Sequence, residues 1–142
     1  MPKQGAAQSS RKLLGSVFAM IETPIFHMCR RDEWDAAQKD GVYGGSSQDE
    51  ADGFIHFSTA RQIRASAAKH RAGQGGLVLL TVEVDGLGAA LRWEESRGGA
   101  LFPHLYGPLP IGAVSGVNDL VLGADGHHIF PAHMGEREGA DG

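Results

Sequence analysis

The chain has 142 residues, a formal net charge of −4 at pH 7 and a hydrophobic content of 42%, values typical of one soluble globular domain. The negative charge excludes a broad basic surface for gripping nucleic acid, so we do not expect an RNA partner. No apolar run reaches the length of a membrane-spanning helix, and the one cysteine, Cys29, excludes an internal disulfide and suits a cytoplasmic protein.

Composition divides the chain into three parts. Residues 1–20 are predicted to be a disordered or extended N-terminal segment, residues 21–130 a single globular domain, and residues 131–142 a flexible, polar tail. The first part has the basic start and apolar run of a signal peptide. No small-residue cleavage site follows that run, so we do not expect export.

The first predicted unit is a strand followed by a helix. The strand covers Thr23–Cys29 and carries His27 near its middle. Asp32 is predicted to cap a helix over residues 33–40, which Gly41 ends. The polar, glycine-rich stretch after this helix is predicted to be a connection without regular structure.

The second predicted unit repeats the first. The segment "ADGFIHFSTARQ" places His56 inside a short strand that ends near Ser58. Thr59 and Gln62 have the spacing of a capping box, which predicts a helix from Ala60 to about residue 73. Because His27 and His56 occupy equivalent points of the two units, we expect them side by side in one cleft.

The rest of the domain is predicted to be mainly strands. Leu77–Val84 is the strongest strand pattern and is predicted to be central, followed by a short strand over Leu91–Glu94. Residues 95–110 are predicted to form a long loop, and two more strands lie at residues 113–122 and 127–130. The element order indicates an α+β fold with a mainly antiparallel sheet.

Three histidines, His27, His56 and His104, are candidates for one ligand site. Two of them share the same kind of strand position, which favours a hydrogen-bonding role toward a ligand hydroxyl or phosphate. A zinc site with an open position for water is an alternative. A structural role for each histidine is another alternative, because a lone histidine is often part of a satisfied core.

The segment "FPHLYGPLP" at residues 102–110 is a second candidate. Its prolines restrict the chain, and Phe102 and Tyr106 would offer a stacking surface beside His104. Packing as a cover over the sheet edge is the alternative.

Charged residues give two further candidates. Glu94 beside Trp93 is predicted to have a raised pKa suited to acid–base chemistry, with a solvated strand-end glutamate as the alternative. Arg61 is predicted to lie with Arg64 and Arg71 on a basic helix face near Ser58, where a helix N-terminus favours a phosphate. A solvated charged face is the alternative there.

A resemblance to known proteins covers roughly residues 21–120. The segments "IFHMC", "DGFIHFST", "LVLLTVEVD", "LRWE" and "FPHLYGPLP" together resemble the bacterial domain of unknown function 952 family. That family is similar in fold to the ADP-ribosyltransferases, above all to the tRNA 2′-phosphotransferases. The resemblance implies a split, mainly antiparallel sheet with two helices in the N-terminal half.

The same resemblance implies a transferase that uses NAD or ADP-ribose, with NAD as a substrate. In it, His27 would bond a ribose hydroxyl, His56 and Ser58 would line the nicotinamide ribose, Tyr106 would stack on a ring and Arg61 would contact phosphate. Protein-modifying members carry an acceptor-activating glutamate that "FPHLYGPLP" lacks. A non-catalytic nucleotide or small-molecule binding module and a His-ligated metal enzyme therefore stay open as alternatives.

The candidate residues fall into two groups, and no metal ligand is assigned. The catalytic candidates are His56, His27 and Glu94, and the ligand-binding candidates are Ser58, Arg61, Trp93, His104 and Tyr106.

Overall fold

The computed structural model describes residues 23–96 and 99–134, so the predicted N-terminal segment 1–20 and most of the predicted tail 131–142 lie outside the described residues. The α-helices are α1 Arg31–Asp40, α2 Ser47–Asp52 and α3 Ile63–His70. The strands are β1 Ile25–Arg30, β2 Val42–Tyr43, β3 Ile55–His56, β4 Leu77–Val82, β5 Leu91–Glu95, β6 Leu101–Leu105, β7 Leu109–Pro110, β8 Val114–Leu122 and β9 His128–Ile129. Short 3₁₀ helices lie at Gly88–Ala90, Ile111–Ala113 and Ala132–Met134.

The largest sheet is antiparallel, with strand order β1-β4-β8-β9. In its register His27 lies opposite Leu80, and Leu80 lies opposite Val117. The prediction that the Leu77–Val84 segment forms a central strand is confirmed, because β4 has a neighbour on each side. Its run of apolar and β-branched residues suits a strand covered on both faces.

Two smaller antiparallel sheets complete the fold, one pairing β2 with β7 and one with strand order β3-β6-β5. The prediction of a loop over residues 95–110 is wrong, because this stretch contains β6 and β7. Its glycines and prolines suggested a loop, yet Phe102, His104 and Tyr106 alternate with Pro103 and Leu105. This period of two is the pattern of a strand with one polar and one apolar face.

The helices differ from prediction mainly at their starts. Helix α1 is capped at Arg30, whose backbone N–H donates to the Glu33 side chain at 2.8 Å, and it ends at Gly41 as predicted. Helix α2 lies in the stretch predicted to be a connection, so that prediction is wrong. Helix α3 starts at Ile63 rather than Ala60, because residues 60–62 form a turn even though the Thr59 N–H donates to Gln62 as the capping box requires.

Apolar residues pack against both faces of the four-stranded sheet. One cluster joins β1 and β4 to α1 and the three-stranded sheet, with Trp34 of α1 buried in it. The other cluster joins Phe26, Leu79 and Ile63 of α3 on the opposite face. Each such side chain contributes about 1.5–3 kcal/mol when fully buried. The expected α+β fold, with mainly antiparallel sheets and its helices in the N-terminal half, is confirmed.

Within the part of the chain that the structure describes, no helix is both long enough and apolar enough to cross a membrane.

Candidate functional site

The three-stranded sheet turns one face to the core and the other face away from it. On the core side Ile55 and Leu105 are buried in the main apolar cluster. On the other side His56 lies directly opposite His104, and His104 lies directly opposite Arg92. Because side chains alternate along a strand, these positions and those two residues away share one surface. We call this surface the histidine face; it consists of Phe54, His56, Arg92, Glu94, His104 and Tyr106.

Aromatic contacts centred on Phe54 hold the histidine face together. The centroid of its ring lies 4.2 Å from that of His104, 4.6 Å from that of His56 and 5.1 Å from that of Tyr106. The two imidazoles themselves are 5.5 Å apart, edge to face. Phe54 covers much of His104, which is only 8% exposed although it lies on the outer side of the sheet.

Glu94 links His104 to Tyr106. Its Oε1 accepts hydrogen bonds from His104 Nδ1 and from the Tyr106 hydroxyl, each at 2.8 Å. Since Nδ1 donates to a carboxylate, the neutral His104 ring has its lone pair on Nε2. The Arg92 guanidinium lies 4.6 Å from the centre of the Tyr106 ring, in a cation–π contact.

The prediction of a raised pKa for Glu94 is wrong. The hydrogen bonds from His104 and then from Tyr106 lower the pKa of Glu94, and these contributions outweigh the small effect of desolvation. Glu94 is therefore an ionised acceptor that orients His104, and not a proton donor. Trp93, expected to create an apolar surrounding for this carboxylate, packs against the core cluster on the other face.

His56 lies between two carboxylates of helix α2. Its Nδ1 bonds to Asp49 Oδ1 at 2.6 Å, its backbone N–H donates to the same oxygen at 3.1 Å, and its Nε2 forms a 3.0 Å ion pair with Asp52. The bond to Asp49 raises the pKa of His56, and Asp52 adds to this effect. With a carboxylate at each ring nitrogen, the imidazolium is the favoured form.

Asp49 is buried, with only 3% of its side chain exposed. Burial alone raises the pKa of this carboxyl, but the hydrogen bonds from the His56 ring and from the backbone N–H groups of Ser46 and His56 lower it to about 2. Ser46 caps α2, because its hydroxyl oxygen accepts from the Asp49 N–H at 3.3 Å. In return its backbone N–H and its hydroxyl donate to Asp49 Oδ2, at 2.7 and 3.0 Å. At Gly45 (φ 102°) a Cβ would come within 2.7 Å of the Asp49 Cβ, so this close approach requires glycine.

His27 lies beneath the histidine face and is buried. Its Nδ1–H donates to the His56 carbonyl at 2.5 Å, and the Tyr43 hydroxyl donates to its Nε2 at 2.7 Å. Asp49 Oδ2 is 3.4 Å from the same Nε2. Burial lowers the pKa of His27 more than Asp49 raises it. His27 is therefore neutral, and it supports the backbone of β3 from below.

The predicted site residues are thus divided between two places. The structure brings His56, His104, Glu94 and Tyr106 onto one face, with His27 directly behind them. Ser58 is buried and its hydroxyl bonds to Ser66 of α3 at 3.0 Å, and Arg61 is exposed in the turn before that helix.

The other arginines of the predicted basic face also have separate partners. The Arg64 guanidinium lies 5.1 Å from the centre of the Phe130 ring, and Arg71 donates to the Met28 carbonyl at 3.2 Å.

The residues of this site that sequence reasoning missed include Tyr43, Asp49, Asp52, Phe54 and Arg92. One signal was available for Asp49. Ser46 and Asp49 have the S-x-x-D spacing of a capping box, which predicts a helix start inside the stretch taken for a connection. Strand alternation places Phe54 on the same face as His56, but its contacts with His104 and Tyr106, like the placement of Tyr43, join strands that are distant in sequence.

Across residues 23–96 and 99–134, no group of three or more histidine, cysteine, aspartate or glutamate side chains is arranged to hold a metal ion. The contacts of the three histidines agree with this result. His27 donates Nδ1–H to a carbonyl, while His56 and His104 each bond a carboxylate through Nδ1.

Residues 28–117 match the family described as protein of unknown function (DUF952). The chain belongs to the DUF952 family. The expected family membership is therefore confirmed. No curated protein matches the chain.

Two solved structures of one relative share this architecture. The crystal structure of protein CC0527 from Caulobacter crescentus is 49% identical, with a TM-score of 0.75, and the match covers 79% of this chain and 98% of that one. The solution NMR structure of CC0527 is 52% identical, with a TM-score of 0.65, over 72% of this chain and 89% of that one. The family description names no activity, so the chemistry of the site is argued from its residues.

Proposed function

We propose that the histidine face binds a nucleotide-type ligand and that the protein is a transferase using NAD or ADP-ribose. One observation carries the proposal. His56 and His104 lie directly opposite each other on β3 and β6, and each is bonded to its own carboxylate. One imidazole is held as a cation and the other retains a basic nitrogen, which is the division of roles that acid–base chemistry requires.

His104 would act as the general base. Glu94 fixes its Nδ1–H, so Nε2 is the atom that accepts a proton from an acceptor hydroxyl. The hydroxyl oxygen then forms a bond to C1′ of the ribose. The bond between C1′ and the nicotinamide nitrogen breaks, and its electron pair leaves with neutral nicotinamide. The proton ends on His104 Nε2, so the charges balance.

Aromatic side chains support a ligand that carries a flat ring. Phe54 and Tyr106 are partly exposed and adjacent, with ring centroids 5.1 Å apart, and Arg92 stacks on Tyr106. Rings in such a cluster contribute about 0.5–1.5 kcal/mol per pair beyond the apolar area that they bury. The resemblance of the sequence to the ADP-ribosyltransferases, on which NAD was expected as a substrate, is the ground for choosing NAD as the source of that ring.

The proposal changes the role expected for His27. A direct bond from His27 to a ribose hydroxyl is not included, because the ring is only 3% exposed and both nitrogens are engaged. The proposed ligand contacts also exclude three other predicted residues. Ser58 bonds to Ser66, Arg61 is exposed before α3, and Trp93 packs against the core cluster.

The test combines binding and turnover. Wild-type protein without a His-tag is titrated calorimetrically with NAD, ADP-ribose and nicotinamide, and nicotinamide release from NAD is followed separately. His104→Gln should retain binding and lose most of the release, whereas His56→Gln should weaken binding. His127→Gln, in an exposed turn, is the matched control and should change neither. Absence of binding by all three ligands would overturn the proposal.

A second candidate, a binding module without catalysis, is favoured by one observation. The carboxylates Asp49 and Glu94 both have lowered pKa values, and His56 has a carboxylate at each nitrogen. His56 therefore has both ring nitrogens engaged, and the proposed catalysis depends on His104 Nε2 alone as the imidazole nitrogen that accepts a proton. Saturable binding of NAD or ADP-ribose with no nicotinamide release in the wild-type protein would establish this second function instead.

A further inference from the structure

The two ring nitrogens of His56 have partners of very different kinds. Nδ1 bonds to Asp49, which is 3% exposed and fixed by Ser46. Nε2 pairs at 3.0 Å with Asp52, and there the side chains of His56 and Asp52 are both 40% exposed. The inner contact is part of the fold, whereas the outer contact faces solvent at the surface where a ligand would arrive.

The outer contact is easily replaced. Asp52 is the last residue of α2, and its Oδ2 also accepts a hydrogen bond from Gln48 at 3.3 Å, so the carboxylate has another partner on its own helix. An exposed ion pair of this kind stabilises a protein by about 0–1 kcal/mol. Loss of the Asp52 contact leaves the positive charge of His56 in place, because the bond to Asp49 remains.

We propose that Asp52 occupies the position of a ligand phosphate oxygen and competes with the ligand for His56 Nε2. The inference rests on the proposed function and assigns the phosphate contact of that ligand to His56. An N⁺–H···O⁻ hydrogen bond to phosphate is stronger than a hydrogen bond between neutral groups. A phosphate oxygen, like the Asp52 carboxylate oxygen, is an anionic acceptor for His56 Nε2. Arg92, on the same face and opposite His104, is a second positive charge of the histidine face.

If Asp52 competes with the ligand, its substitution should affect ligand affinity in the opposite direction from substitution of a residue that contacts the ligand. Removing a side chain that contacts a ligand weakens binding, but removing the charge of Asp52 frees Nε2 and strengthens it. Asp52→Asn should bind a phosphate-bearing ligand about two- to five-fold more tightly, the ratio that corresponds to a surface ion pair. Glu50→Gln removes one negative charge from an exposed position of the same helix without touching His56, and it is the matched control.

The experiment titrates inorganic phosphate and ADP-ribose into wild type, Asp52→Asn, Glu50→Gln and His56→Gln at slightly acidic pH, where His56 is protonated. Binding is followed by the ring NMR signals of His56 and by calorimetry. A gain confined to Asp52→Asn, together with weakened binding in His56→Gln, supports the inference. Equal gains in Asp52→Asn and Glu50→Gln would show a general charge effect and overturn it, as would weaker binding by Asp52→Asn.

The two probes separate this inference from the function on which it rests. Suppose that phosphate binds at His56, that Asp52→Asn strengthens this binding, and that ADP-ribose does not bind. This result would support competition by Asp52 and reject a nucleotide ligand. ADP-ribose binding that Asp52→Asn leaves unchanged would keep the proposed function and reject the competition. No binding of either probe to any variant would reject both.

Discussion

The four-stranded and three-stranded sheets use the same alternation of side chains in different ways. In the four-stranded sheet, β1 and β4 are covered on both faces, so most positions on both faces are apolar and buried. The three-stranded sheet buries one face only, and its other face carries imidazoles, a carboxylate and a guanidinium. One sheet therefore supplies stability, and the other presents chemical groups on a stable support.

His27 joins the two sheets. It belongs to β1 of the four-stranded sheet, but its Nδ1–H donates to the His56 carbonyl of the three-stranded sheet. Burying a polar residue in a core strand costs free energy unless the residue is hydrogen-bonded. Both ring nitrogens of His27 are hydrogen-bonded. We infer that the role of His27 in the core is to fix the position of β3 relative to β1.

The largest expected effect is a loss of stability in the four-stranded sheet. Leu80→Ala removes a fully buried side chain of β4 and should lower the free energy of unfolding by about 2–5 kcal/mol. Val121→Ala, at a position that is 54% exposed on the neighbouring β8, is the control and should cost far less. Urea unfolding followed by circular dichroism measures both, and similar losses would contradict a four-stranded sheet buried on both faces at β4.

The next effect concerns the carboxylate that supports the three-stranded sheet. Asp49→Asn should cost about 1–3 kcal/mol, because the amide cannot accept from Ser46 and His56 as the carboxylate does. The folded pKa of Asp49 is about 2, below its ordinary 3.8. The contribution of the ionised Asp49 to the free energy of unfolding is therefore present above pH 3.8 and is lost as the pH falls toward 2.

Unfolding in urea across acidic pH tests this dependence. The difference in stability between wild type and Asp49→Asn should shrink as the pH falls through that interval. Asp40→Asn, exposed at the end of α1, is the control and should show no such convergence. A difference that stays constant with pH would mean that Asp49 does not act through its charge.

Much of the scaffold follows from sequence, because its signals are local. The glycine that ends α1 and the apolar run of β4 each depend on neighbouring residues and are predicted correctly. The histidine face depends on pairing between β3, β6 and β5, which brings residues 56, 94 and 104 together. Composition misled here, since Pro103 and the glycines near β6 suggested a loop. Histidines could be selected as candidates, but their carboxylate partners could not all be assigned.

His27 and His56 should respond oppositely to pH, although both lie near Asp49. The pKa of His56 is raised above 6.5, so its stabilising contribution is present below pH 6.5 and is lost as the pH rises through the folded value. The pKa of His27 is lowered, so its contribution is present above pH 6.5 and is lost as the pH falls through the folded value.

Urea titrations of His56→Gln and His27→Gln between about pH 5 and 8 measure these contributions. Relative to wild type, the cost of His56→Gln should shrink toward alkaline pH and that of His27→Gln toward acidic pH. His127→Gln is the control for a histidine in an exposed turn. If both costs changed in the same direction, the assignment of His27 as neutral and His56 as cationic would be wrong.

The smallest effect lies wholly on the histidine face. The hydrogen bond to Glu94 raises the pKa of Tyr106, so Glu94→Gln should lower this pKa toward its ordinary value of 10 with little change in stability. Ultraviolet titration at alkaline pH detects the shift, and Tyr106→Phe identifies its signal, since the other tyrosine, Tyr43, is buried and has a raised pKa. Glu95→Gln, the exposed neighbour on β5, is the control and should leave the titration unchanged. Equal shifts in the two variants would show that the pKa of Tyr106 depends only on the general negative charge of β5. The assignment of Glu94 as the residue that orients His104 and Tyr106 would then be wrong.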